Sequence, residues 1–190
     1  MKPSLTNTDD AWGVPAKAFH WVATVVILIL LGHGWWMTHV IPPSPVRFAN
    51  FSWHVALGYD FLALMVLRLL WRWSNRVPTL PSDTKRWERI AAHTGHFLLY
   101  VLTFAATLAG WAMAGTMRTP PTKDLFGIPF PLIYASQDQG MHGLLEDAHK
   151  ILSYMLCIII VVHIAGALRH HFIKRNSVLR RMLGPETKAA

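Results

Sequence analysis

The chain has 190 residues and a formal net charge of +8; 53% of its residues are hydrophobic and only 15% charged. The apolar residues are not spread with the period of a soluble amphipathic element but fall in four blocks of roughly twenty, the length that spans a bilayer. The basic residues flank these blocks, so a membrane protein with basic loops accounts for the charge and nucleic acid is excluded as the reason for it.

Residues 1–16 are polar, with Pro3, Pro15 and the pair Asp9-Asp10, and read as a short tail. No small-residue cleavage site follows a short apolar core, so the first run is expected to stay as a helix rather than leave as a signal peptide. That first span covers approximately 18–37 and contains VATVVILILLG. His20 and Trp21 lie at its start; His33 and the interfacial aromatics Trp35 and Trp36 lie near its far end. A loop, THVIPPSPVRFANFS, follows, and its prolines interrupt helix. The second span covers approximately 53–71; His54 opens it, Gly58 and Asp60 sit inside, and Arg68, Arg72, Trp71 and Trp73 close it. A basic linker, 74–89, holds Pro78 and Pro81. The third span covers approximately 92–114, with His93 and His96 three apart on one face and Gly110 near its end. The stretch 115–146 carries Pro120, Pro121, Pro129 and Pro131 and reads as a structured cap or lid, with His142 in it as a loop residue, like His39. The fourth span covers approximately 148–171 and a basic tail, Arg169 to Lys188, closes the chain. Cys157, the single cysteine, lies within the fourth block, so an intrachain disulfide is excluded. The expected fold is an all-α membrane protein, a four-helix transmembrane bundle forming a single domain over 1–190.

Lys and Arg set the orientation. Lys2 and Lys17, then Arg68, Arg72, Arg76, Lys85, Arg86 and Arg89, then Arg169, Lys174, Arg175, Arg180, Arg181 and Lys188 lie on one side; Arg47, Arg118, Lys123 and Lys150 lie on the other. The positive-inside rule puts both termini in the cytoplasm, which requires an even number of spans.

Orientation gives each histidine a depth. His149 and His163 are fourteen residues apart on the fourth span, about 21 Å along the axis and close to four whole turns, so both rings face one way. His20 starts an outward-going span and meets the depth of His163; His54 starts an inward-going span and meets the depth of His149. Each pair suits one haem iron held from both sides, without an open position, which favours electron transfer over oxygen binding. No CxxCH occurs, so the haems are of b type. Any one of these histidines taken alone is more often an interfacial anchor; two depth-matched pairs are not. No catalytic side chain is singled out.

Other residues have competing readings. Arg68 and Arg72, four apart, suit haem propionates or serve as positive-inside anchors. Asp60 is the only acid within these spans and is expected to be paired, protonated or facing a polar cavity. Gly58 and Gly110 leave room for a flat porphyrin or for helix packing. His33 lies at the depth of His54, and His93 and His96 at the inner depth, as alternative ligands or packing groups. His170 and His171 follow the last span as anchors or as hydrogen-bond partners of a quinone.

The segments FHW from Phe19, HVALGYDFLALMVLRLLWR from His54, AHTGHFLLY from Ala92, and HKILSY, VVHIAGALRHHF and VLRRML from His149 onward resemble the bacterial cytochrome b561 family of small four-helix di-haem proteins. The resemblance covers most of the chain. It implies haem ligation by His20, His54, His149 and His163, the set also reached from depth, and quinone as a redox partner. One member type looks like a superoxide oxidase that reduces ubiquinone, and similarity to it implies quinone near the cytoplasmic haem with His170 at the matching position. Two positions depart from the family pattern: Lys150, where an acid is frequent, and Asp60, where an uncharged residue is usual. Lys150, with Arg47, Arg118 and Lys123, adds positive charge on the outer side and suits an anion such as superoxide or, equally, an acidic protein partner.

The expected function is that of a bacterial inner-membrane oxidoreductase with two haem b, moving single electrons between an outer-face donor, superoxide, and membrane ubiquinone. The alternative is a cytochrome b relay subunit of a larger dehydrogenase or hydrogenase complex.

Overall fold

The computed structural model describes residues 4–184; Lys2 and Lys188 of the orientation argument lie outside them. Four long helices follow in order: α1 (Val14–His39), α2 (Pro45–Ser74), α3 (Arg86–Ala114) and α4 (Gln139–Phe172), with a single turn α5 (Arg180–Leu183) after them. All four long helices are apolar enough to cross a membrane, and there is no strand among the described residues, only an isolated bridge between Lys123 and Pro129. The protein is an all-α, four-helix membrane protein.

Each helix starts where local chemistry satisfies free amides, which is earlier than hydropathy alone suggests. Pro15 and Pro45 occupy the first turns of α1 and α2, where a missing N–H costs nothing. The Ser44 hydroxyl accepts from the Arg47 amide at 3.2 Å. The Glu88 carboxylate accepts from the Lys85 amide at 2.8 Å, and Asp138 accepts from the amides of Gly140 and Met141 at 2.8 and 3.1 Å. Several expectations change as a result. His39 is the last residue of α1 and His142 lies in the first turn of α4, so neither is a loop residue. His54 and His149 sit well inside their helices rather than at the start. Asp60 is not the only acid in the long helices, because α3 takes in Glu88 and α4 takes in Glu146 and Asp147.

Packing follows chain order: α1 on α2, α2 on α3, and most extensively α3 on α4. One cluster joins Ala23 and Leu30 of α1 to Phe61 and Met65 of α2; another joins Val55 and Tyr59 of α2 to Ala114 of α3. Only Leu156 of α4 is buried, and α4 shows Ile158, Val161, Val162 and Ile164 outward. An apolar helix exposed in this way is covered by lipid in a bilayer.

The two ends of the bundle differ. At the face carrying the described ends of the chain, the first residues, the α2–α3 linker and α5 are tied together: Asn7 Nδ2 donates to Arg76 O at 2.7 Å, Arg181 Nη1 to Thr79 O at 2.7 Å, and Lys17 Nζ to Gly184 O at 2.5 Å. This is the terminal face. The opposite, loop face carries the short α1–α2 turn and the long 115–138 connection. That connection rests on α2 and α3, with Phe130 stacked on Tyr59 at 4.4 Å and Trp111 Nε1 donating to Pro131 O at 2.7 Å.

Candidate haem sites

Histidines meet at two levels, and in both cases they join helices outside the closely packed pairs. At the loop face His54 of α2 and His149 of α4 have ring centroids 6.3 Å apart, inclined at 88°. At the terminal face His20 of α1 and His163 of α4 are also 6.3 Å apart, inclined at 69°. Two imidazole nitrogens each about 2 Å from one metal ion put their ring centroids about 6 Å apart, so both spacings suit an axial pair.

The loop-face pair borders a cavity of about 750 Å³, lined among others by Gly34, Gly110, Arg47, His142, Glu146 and Lys150. The Nδ1–H of His149 donates to the carbonyl of Ala106 at 2.8 Å. A carbonyl only accepts, so Nε2 of the neutral ring keeps its lone pair, the arrangement that metal-binding histidines share. Nδ1 of His54 is buried without a hydrogen-bond partner among the described residues. Two glycines make room for the rings: a Cβ at Gly110 would stand 3.0 Å from His149, and one at Gly34 would stand 3.3 Å from His54. Gly58 has nothing within 4 Å of such a Cβ, so of the two glycines singled out in the sequence only Gly110 abuts a histidine. A broad apolar cavity, two opposed imidazoles and one ring already in the ligating tautomer fit a haem.

His33 stacks on His54 at 5.7 Å, nearly parallel, while its Nε2 meets Asn50 Oδ1 at 3.1 Å. It packs beside the pair instead of facing His149. Arg47 and Lys150 line the cavity, but Lys150 is held 2.8 Å from Glu146, so its charge is partly offset. Arg118 and Lys123 are exposed on the 115–138 connection, away from the cavity lining. None of residues 115–138 lines the cavity itself, but Phe130 packs on the lining residues Tyr59 and Trp111, and Thr116 Oγ1 lies 2.6 Å from Nδ1 of His142, another lining residue.

At the terminal face Arg68 Nη2 donates to His20 Nδ1 at 3.0 Å. Arginine cannot accept, so in this arrangement a neutral His20 carries its proton on Nε2. Arg68 and Arg72 both lie over the Tyr100 ring, at 5.4 and 5.7 Å. His96 of α3 comes 5.3 Å from His163, making a third imidazole at this level, whereas His93 is exposed. His170 Nδ1 is 3.0 Å from Asn176 Nδ2, and Asn176 Oδ1 accepts from Val178 N, which fixes the amide as donor to the ring. The proton of neutral His170 therefore sits on Nε2, which is free to donate. Asp60 Oδ2 accepts from the Leu125 amide at 3.2 Å.

One residue stands outside the expectations drawn from the sequence. Glu88, assigned to the linker by hydropathy, is 4% exposed and receives Arg169 Nη1 at 2.5 Å and Lys174 Nζ at 3.5 Å, with Arg169 over the Trp87 ring. An acid in the first turn of a helix, where its carboxylate can accept from a free backbone amide, is the signal that could have found it.

The sequence profile of prokaryotic cytochrome b561 matches residues 11–185. The chain belongs to that family. A cytochrome b561 homolog 2 of Escherichia coli (strain K12) is 31% identical over 183 residues, covering 95% of both chains. A probable superoxide oxidase CybB of Yersinia pestis is 30% identical over 135 residues, covering 68% of this chain and 72% of the relative. A probable Ni/Fe-hydrogenase B-type cytochrome subunit of Cupriavidus necator is 22% identical over 211 residues, covering 89% and 82%. Membership of the cytochrome b561 family, with four membrane-length helices, makes this a multi-pass bacterial membrane cytochrome of electron transport, in an oxidoreductase family that uses b-type haem.

Proposed function

We propose that this cytochrome b561 carries two haems b, one between His54 and His149 and one between His20 and His163, and passes single electrons from superoxide at the loop face to ubiquinone at the terminal face. The carrying observation is that both histidine pairs have the same 6.3 Å separation, at two levels of α4. The fourteen residues between His149 and His163 amount to about 21 Å, most of a bilayer core. Haem supplies one-electron redox chemistry when bound; the protein orients it, excludes water and adjusts its potential.

The side chains divide the remaining tasks. Ala106 fixes the tautomer of His149. Arg68 and Arg72 are the cations at hand for haem carboxylates at the terminal face, and a carboxylate that draws Arg68 away returns His20 to the ligating tautomer. His170 Nε2–H donates to a quinone carbonyl. Each superoxide loses one electron to become dioxygen, and two such electrons with two protons convert the quinone to quinol. The excess of Lys and Arg at the terminal face supports a cytoplasmic placement of both ends and an inner-membrane location. The four helices then act as one unit.

Similarity to a hydrogenase B-type cytochrome subunit supports a second reading, in which the chain relays electrons for a partner and has no substrate of its own. Stopped-flow spectroscopy of the purified, oxidised protein with superoxide, with and without a soluble ubiquinone, separates the two. Rapid haem reduction followed by loss of the electron to quinone is the expected result. No reduction, in a sample with two low-spin haems b that respond to dithionite, overturns the superoxide reading and leaves the relay.

A further inference from the structure

The hairpin of the 115–138 connection does not line the cavity and has a destination of its own. Residues 122–130 make a small hairpin, in which Phe130 N donates to Thr122 O at 2.6 Å and Asp124 N to Ile128 O at 3.1 Å. Gly127, at φ +81°, takes the left-handed backbone that its tight tip requires. Three apolar side chains stand off the tip: Phe126 is 82% exposed, Ile128 58% and Leu125 43%.

Depth is the first clue to what they face. The Leu125 amide donates to Asp60, and Asp60 lies seven residues past Trp53 on α2. With Trp53 at the interface, Asp60 lies about 10 Å further along the helix, inside the apolar span. The connection therefore leaves α3 and turns back beside α2, toward the middle of the bundle. Tyr59, next to Asp60, guides it by donating its hydroxyl to Pro121 O at 3.0 Å.

The second clue is the backbone. Hydrocarbon tolerates irregular chain only where its polar groups are satisfied. The five amides of the tip, 124 to 128, meet that condition. The amide of Asp124 goes to Ile128 O, that of Leu125 to Asp60 Oδ2, those of Phe126 and Ile128 to Asp124 Oδ1, and that of Gly127 to Asp124 O. Residue 129 is proline and has no amide to satisfy.

We propose that the 122–130 hairpin is a re-entrant membrane anchor docked on Asp60, with Leu125, Phe126 and Ile128 seated among the acyl chains of the leaflet on the loop-face side. Asp60 then holds a loop. Exposed Lys123, at the start of the hairpin, extends toward the headgroups. The anchor stands whether or not superoxide is the electron donor.

The test uses the haem-loaded protein in phosphatidylcholine vesicles. In a Cys157→Ser background, a nitroxide is attached at Phe126→Cys, at Val161→Cys on the lipid-facing side of α4, and at Thr119→Cys on the same connection. Power saturation compares collisions with oxygen, which concentrates in lipid, and with a water-soluble nickel chelate. The expected result is that the label at 126 favours oxygen several-fold, as at 161, while the label at 119 favours nickel. A label at 126 as open to nickel as that at 119 overturns the anchor and makes the tip a water-facing surface. Adding Asp60→Ala is expected to raise nickel access at 126 several-fold with 161 unchanged. No change at 126 overturns the docking role of Asp60. An unaltered haem spectrum confirms that each variant is folded.

Discussion

His149 donates its Nδ1 proton to the carbonyl of Ala106 at 2.8 Å, and that bond leaves Nε2 free on the side of His54. The acceptor is a backbone group of α3, the helix on which α4 packs most closely. Register between α3 and α4 therefore sets the chemistry of the ring. Gly110, one turn further along α3, must stay small for the same ring. Gly110→Val is expected to lower haem content by up to one equivalent per chain. Gly143→Ala, on α4 outside the cavity lining and with nothing within 4 Å of the added carbon, is expected to leave it unchanged. Pyridine haemochrome assays on both variants decide this.

Arg68 holds a permanent positive charge 3.0 Å from His20. A cation beside a redox centre favours its reduced form, and the effect is large where water is scarce. Arg68→Gln is expected to lower the midpoint potential of the terminal-face haem by roughly 50–100 mV, for a charge acting through an intermediate dielectric. The loop-face haem should stay within about 20 mV, because two unit charges some 20 Å apart interact weakly. Spectroelectrochemical titration gives both potentials in one experiment.

Lys150 and Glu146 form an exposed i, i+4 pair at the mouth of the loop-face cavity. Such a pair contributes little to stability but shapes the field that an incoming anion meets. Lys150→Gln is expected to slow haem reduction by superoxide about two- to fivefold at low ionic strength, and Glu146→Gln to speed it by a similar factor. Both differences should shrink at high salt, where the Debye length falls to about 3 Å. Rates that do not change with salt in either variant would remove steering from the account.

Depth is what makes the histidines legible in the sequence. Four apolar blocks and a charge count give each residue a level, and the levels match His20 to His163 and His54 to His149 while leaving His33, His93 and His96 as alternatives at the same depths. Lateral position has no such signal. Nothing in the sequence places His33 on the back of His54, brings His96 next to His163, or sets Gly34 beside a ring, because these depend on helix rotation and on which pairs pack. Hydropathy also hides the helix ends. The first turns of α2, α3 and α4 are polar or proline-bearing, and Ser44, Glu88 and Asp138 start them by capping, so hydropathy assigns His142 to a loop and Glu88 to a linker. The path of 115–138 is hidden for a different reason: it is set by Tyr59, Asp60 and Trp111, two of them far away in sequence.

Glu88 offers the sharpest test of the terminal face. Its side chain is almost fully covered, caps α3 through the Lys85 amide, and receives both Arg169 at the end of α4 and Lys174 just beyond it. Removing the negative charge leaves Arg169 and Lys174 facing each other without their counter-ion, and a covered pair broken on one side costs far more than an exposed one. Glu88→Gln keeps the shape but not the charge. It is expected to lower the thermal midpoint of the detergent-solubilised protein clearly. Asp9→Ala, which breaks an open 3.8 Å contact with Arg76, should leave it unchanged. Because His170 lies next to Arg169, the same Glu88 variant should also weaken quinone reduction by raising KM for quinone, with haem reduction by the donor intact. Equal loss in both half-reactions would mean that Glu88 supports the whole bundle, not the terminal face alone.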